Sequence, residues 1–192
     1  MKTGVFGGTF DPVHSGHLIT AAAVKEIRHL DKILFVPCHI SPHKTEFRTS
    51  LPEDRLNMLQ LAIEDSDDFM ISTLELFRGG ISYMVDTLTE LKKEFGELEL
   101  IIGFDNLEKF YTWKDPDRIL QLAKLIVMRR ETDRRDIPHD RFYNAAIFVD
   151  TPVINISSTA VRLLASEGRT VEDMVPDKVS DYITSRGLYR SI

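Results

Sequence analysis

A single cysteine, Cys38, leaves this 192-residue chain without any internal disulfide, which suits a reducing compartment. Its simplest reading is a small apolar side chain near the end of the second strand. No apolar run approaches the roughly 18 residues that a membrane span needs. The start, MKTGVFGG, lacks a basic region followed by an apolar stretch of signal length. A soluble, cytoplasmic protein is therefore expected, with no membrane partner. Positive charge is also short: 24 Lys and Arg against 30 Asp and Glu give a net charge of −6, which argues against a general grip on nucleic acid. Repeats and low-complexity tracts are missing, as are the GxxxxGK[ST] and GxGxxG phosphate loops. Oligomeric state is open between monomer and homodimer.

What remains is ordinary globular composition, 43% hydrophobic and 28% charged, enough for one domain spanning 1–192. Strand-like runs alternate with helical patterns, which predicts an α/β fold: a Rossmann-like parallel sheet with helices on both faces. Strands are expected at Thr3 to Phe6, Lys32 to Pro37, Phe69 to Leu76, Leu98 to Ile102, Leu125 to Met128 and Ala146 to Val149. In the third, Glu75 and Arg78 suggest that the run becomes exposed. Helices are expected from Gly16 to about Leu30, and from Pro52 with Leu56, Leu59, Ala62 and Ile63 on one face. Another is expected after Ser82 as cap, with two short ones near 106–110 and 117–122. The last two run from Ser158 to Ser166 and from Pro176 to Arg186. A long polar loop covers Cys38 to Leu51, and a charged loop covers Arg129 to Arg141.

The densest signal is Gly7-Gly8-Thr9-Phe10-Asp11-Pro12-Val13-His14-Ser15-Gly16-His17-Leu18. A strand ending in glycines and turning into a helix presents N–H groups and a positive helix end to an anion. His14 and His17, three apart, share a face of the first helical turn and can donate to developing negative charge. A plain turn for Gly7-Gly8, surface histidines, or a metal held by the pair are the alternatives; no third metal ligand stands at an obvious spacing.

Three further segments fall where such a sheet would put binding loops. In Ser41-Pro42-His43-Lys44, the lysine suits a phosphate, or is a solvated surface charge. In Ile156-Ser157-Ser158-Thr159-Ala160-Val161-Arg162, hydroxyls sit beside free helix-start N–H groups, and Arg162 faces the way of Ser158 and Thr159. A simple N-cap with a solvated arginine is the alternative. Asp105, after Gly103, either bonds ribose hydroxyls or caps the next helix. Trp113, the only tryptophan, either packs in the core or stacks on a planar ring.

His14-Ser15-Gly16-His17 with Ile156 to Arg162 resembles the HxGH and ISSTxxR signatures of the nucleotidylyltransferase superfamily. Together with SPHK at 41–44, SYMVDTL at 82–88, IIGFDNL at 101–107, Trp113 and YITSRGLY at 182–189, the chain resembles the bacterial nicotinate mononucleotide adenylyltransferases nearly end to end. The resemblance implies AMP transfer from ATP to nicotinate mononucleotide, giving deamido-NAD and pyrophosphate, by direct in-line attack with Mg²⁺. It implies that Gly7, Gly8, Thr9 and Phe10 line the nucleotide site through their backbone, and that His14, His17, Arg162, Ser157, Ser158 and Thr159, beside Ile156, hold the ATP phosphates. Gly103 and Asp105 would meet the ribose, Lys44 the mononucleotide phosphate, and Thr9, Ser82, Tyr83, Met84 and Trp113 the mononucleotide. Catalysis would fall to His14, His17, Lys44 and Arg162. No protein metal site is expected, Mg²⁺ being carried by substrate phosphates and water. Two positions depart from the family: Met84, where threonine is usual, and Arg129-Arg130-Glu131-Thr132, where Arg-Pro-Gly is frequent. Phosphopantetheine adenylyltransferases and glycerol-phosphate cytidylyltransferases share HxGH, but are not expected to carry SYxxDTL with the tryptophan. A nucleotide-binding sensor without turnover is the rival from another class.

Overall fold

The computed structural model describes residues 1–42, 49–129 and 140–190. Six parallel strands form one sheet in the order β3-β2-β1-β4-β5-β6. They are β1 (Lys2–Gly8), β2 (Lys32–Pro37), β3 (Phe69–Ile71), β4 (Glu97–Gly103), β5 (Lys124–Arg129) and β6 (Ala146–Asp150). Strands β1 to β3 are laid down in one direction and β4 to β6 in the other. The order therefore reverses between β1 and β4, where the carboxyl ends splay into a crevice.

Nine α-helices accompany them among the described residues: α1 (Ser15–Arg28), α2 (Pro52–Ile63), α3 (Leu74–Arg78), α4 (Met84–Glu94), α5 (Phe104–Leu107), α6 (Pro116–Leu122), α7 (Arg141–Ala145), α8 (Ser158–Ser166) and α9 (Asp177–Ser185). A 3₁₀ turn covers Phe110–Thr112. Strand residues alternate between two cores, as a pleated strand buried on both faces requires. Phe6, Ile33, Phe35, Ile101 and Ile126 pack against α1, α2, α8 and α9. Val5, Leu34, Val36, Leu100, Leu125 and Val127 pack against α4, α6 and α7 on the other face. The expected sheet and its helical layers are thus present. No described helix is long and apolar enough to cross a membrane.

Local expectations needed five corrections. Phe69 to Leu76 is not one strand: β3 stops at Ile71 and α3 follows. Glu75 is not exposed but buried, because Thr87 Oγ1 donates to its Oε1 at 2.6 Å. Ser82 does not cap α4; Tyr83 occupies that place, and Ser82 Oγ accepts from the His39 N–H at 3.0 Å. The charged stretch before β6 ends in α7, capped by Asp140, whose Oδ1 accepts from Phe142 N and Tyr143 N at 2.9 and 2.8 Å. Finally, α2 turns Asp54, Arg55 and Met58 inward beside Leu59 and Ile63, whereas Leu56 and Ala62 are half-buried.

Candidate active site

Two pockets abut over the carboxyl ends of β1 and β4, sharing Phe6 and Gly103 as a common wall. One, of about 680 Å³, is polar and opens between the starts of α1 and α8. The other, of about 250 Å³, is lined by Gly7, Gly8 and Thr9, by Ser82 to Met84, and by Trp113.

The polar pocket brings together residues from opposite ends of the chain. His14 is the N-cap of α1, in extended backbone at φ −142° and ψ 165°, and its N–H donates to His17 Nδ1 at 3.2 Å. The two rings stack at 3.6 Å and 24°. Burial lowers the His14 pKa to about 4, against a weaker raising effect of its backbone hydrogen bond, so the imidazole is neutral near pH 7. Gly16 explains the glycine of the motif. A Cβ there would stand 3.0 Å from His14 Nδ1 and 3.3 Å from Ile154 Cγ2, so only a bare backbone leaves the ring its place.

Across the pocket, Ser157 caps α8, its Oγ accepting from Ala160 N at 3.2 Å. The N–H groups of Ser158 and Thr159 have no acceptor within the helix, by helix geometry. Ser158 Oγ donates to the Pro12 carbonyl at 2.9 Å, and Arg162 Nη1 to the Asp11 carbonyl at 2.7 Å. Arg162 Nη2 also donates to Thr159 Oγ1 at 3.2 Å. These bonds fix α8 to the loop after β1, so both histidines and the serine-threonine segment, with Ile156, line one space. Gly103 and the exposed Asp105 complete it, Gly103 being the N-cap of α5. Asp105 lies inside that helix's first turn and does not cap it.

The smaller pocket is aromatic on one side. Trp113 packs against Phe110 at 5.2 Å and 42° while also lining the pocket. Lys114 Nζ lies 4.7 Å over the Tyr83 ring and pairs with Asp86 at 2.8 Å. The Met84 methyl fills the space beside Gly7, where an added Cβ would meet it at 2.6 Å. Met84 is the first residue of α4, so its N–H is a helix-start donor.

Phe10 lines neither pocket. Its backbone is left-handed (φ 49°) and its ring is buried against Phe35 at 5.6 Å and His17 at 5.2 Å. Lys44 lies outside the described residues, between the described flanks ending at Pro42 and beginning at Thr49. Of the Arg129 to Thr132 departure only Arg129 is described; its Nε donates to Asp150 Oδ1 at 3.0 Å.

Sequence reasoning missed Arg55, Glu75 and the C-terminal tyrosines. Tyr189 OH donates to Asp11 Oδ1 at 2.7 Å, and Tyr182 OH to Asp54 Oδ1 at 2.8 Å, tying the chain's end to the glycine loop and to α2. The signal available was a charged residue inside an apolar helical face. Among the described residues no group of three or more His, Cys, Asp or Glu could enclose a metal ion.

A family model described as cytidylyltransferase-like matches residues 5–164. A protein of Caldicellulosiruptor saccharolyticus, named a probable nicotinate-nucleotide adenylyltransferase, is 39% identical over 196 residues, covering 99% of this chain and 100% of its own. One of the same name from Thermomicrobium roseum is 40% identical, over 100% of this chain and 92% of its own. The chain belongs to the nicotinate-nucleotide adenylyltransferase family. The fold of a Plasmodium falciparum nicotinic acid mononucleotide adenylyltransferase, solved in complex with NaAD, superposes with a TM-score of 0.79 at 18% identity, over 98% of each chain. Family and fold thus agree with a sheet whose switch point carries both pockets.

Proposed function

We propose that this chain transfers AMP from ATP to nicotinate mononucleotide, releasing pyrophosphate and forming the deamido-NAD dinucleotide. The observation that supports this most is the meeting of His14 and His17 with Ser157 to Arg162 around one polar pocket, wall to wall with an aromatic one. The triphosphate would lie in the polar pocket, its oxygens facing the histidines, the α8 N–H groups and Arg162. Asp105 and Gly103 would take the adenosine ribose. The pyridine ring would stack in the aromatic pocket on Trp113, near Tyr83 and the Met84 N–H, with Lys44 on the mononucleotide phosphate. If the Met84 contact is made by its N–H, the departure from threonine leaves it intact.

A mononucleotide phosphate is already anionic at neutral pH, so no protein base has to create the nucleophile. Its oxygen attacks the α-phosphorus in line; a new P–O bond forms as the bond to the bridging oxygen breaks, and the electron pair leaves on pyrophosphate. Alignment and donors aimed at the reacting oxygens are what the protein supplies. Mg²⁺ bound to the ATP phosphates would neutralise charge on the leaving group. The donor set fits an ion that arrives with its substrate: Asp105 is the only carboxylate among the described residues lining the polar pocket.

His17→Ala should lower kcat by about 10²-fold or more while ATP still binds, because a donor to the transition state is lost. Pyrophosphate release, followed with nicotinate and then nicotinamide mononucleotide as acceptor, measures this and ranks the two. Unchanged turnover in the variant would refute the histidine's role. Release with neither acceptor in the unaltered enzyme would refute the activity.

A further inference from the structure

Arg55, in the first turn of α2, is fully buried. Its Nη1 donates to the Thr9 carbonyl at 2.8 Å and the Cys38 carbonyl at 2.7 Å. Nη2 donates to the His39 carbonyl at 3.2 Å, and Nε to the Ser50 carbonyl at 3.3 Å. Four carbonyls from three stretches of chain thus converge on one guanidinium, and no described carboxylate pairs with it. A buried cation without a counter-ion is costly, and carbonyl dipoles must compensate it. Only a planar fork with five N–H groups reaches so many acceptors at once. A residue needed merely to fill this core would be leucine or methionine, with no such penalty.

The partners share a location. Thr9 and Cys38 line the aromatic pocket, as do Ser41 and Pro42 just beyond. His39 is held a second time through Ser82 Oγ, and Ser50 through its N–H on Asp11 Oδ2 at 3.0 Å. The polar pocket is fixed by other bonds, from Ser158 and Arg162 to the Pro12 and Asp11 carbonyls, and the two sets meet only through Asp11.

We propose that Arg55 is a positioning residue for the acceptor site: it sets the backbone wall of Thr9 and Cys38–His39 and so the affinity for the mononucleotide, without touching either substrate. This rests on the adenylyl-transfer reading above. Arg55→Lys keeps the charge but cannot reach four carbonyls. It should raise KM for nicotinate mononucleotide about tenfold, with KM for ATP and kcat within about twofold. Arg55→Gln, neutral and shorter, should widen the same split. A purely structural role would reduce the active fraction and leave both KM values alone; that result, or an equal rise in both, overturns the proposal. So does failure of both variants to fold, since Arg55 would then serve folding alone. An unaltered enzyme that releases no pyrophosphate would instead sink the reading beneath, and this proposal with it.

Discussion

At the scale of single residues, His14 links burial to chemistry. Its neutral ring is packed on His17 and held over Gly16, and among the described residues its buried Nδ1 has no hydrogen-bond partner. Leaving such a group unpaired inside the protein costs stability. The same burial makes folding sensitive to acid. The folded-state pKa of about 4 lies below the ordinary value of 6.5, so the unfolded chain takes up the proton first as pH falls. Stability tied to this residue is complete above pH 6.5, declines on the way down to about 4, and is level below that. The full loss is about 3 kcal/mol without nucleotide. Urea midpoints taken at intervals from pH 7.5 to 4 should therefore fall more steeply for the unaltered enzyme than for His14→Asn. Parallel curves for the two proteins would show that His14 is not held neutral.

At the scale of elements, the site is made where two helix starts are tied to one loop. Ser157 caps α8 and also faces the polar pocket, and two substitutions separate these jobs. Ser157→Ala should cost about 1 kcal/mol through the lost cap, or about 2–4 °C in Tm for a chain of this size, whereas Ser157→Gly should cost only a few tenths. If the hydroxyl also meets phosphate, both variants show a raised KM for ATP; if it only caps, glycine restores activity along with stability. Such a segment was readable in the sequence because cap, hydroxyls and arginine are local. The strands were readable too, through apolar runs that stop at Pro37 and Gly103. The division of Phe69 to Leu76 into β3 and α3 was not, since it depends on Thr87 accepting Arg78 and donating to Glu75 across the chain. Nor was the inward turn of Arg55, whose carbonyl partners span residues 9 to 50 and exist only once the loops have closed. Periodicity finds apolar faces, and it misassigns a face whenever a charge is buried by distant backbone.

At the scale of the whole molecule, the parallel sheet separates chemistry from stability. Both pockets open at the carboxyl ends of the strands. The amino ends hold a different device: Glu99 near the start of β4, with its side chain 0% exposed, takes two bonds of 3.0 Å from Arg28 and one ion pair of 3.1 Å from Lys2. Burial pushes this carboxyl's pKa up, but hydrogen bonds from Arg28 and Lys2 outweigh it and hold the pKa below the usual range. Its stabilisation is present above the ordinary carboxylate pKa of 4.5 and is lost as pH falls through the lower folded value. The cations are only about a quarter exposed, at 23% and 25%, so losing their partner is felt, yet water relieves part of the cost. Glu99→Gln should therefore cost about 2 kcal/mol rather than the 3–5 of a fully enclosed pair, lowering Tm by about 4–8 °C. Because the length of the strands separates this cluster from the crevice, kcat and both KM values should match the unaltered enzyme when assayed well below the melting transition. A Glu99→Gln enzyme with normal Tm would mean that the triad is balanced by its own desolvation. One with altered KM would mean that the two ends of the sheet are mechanically coupled.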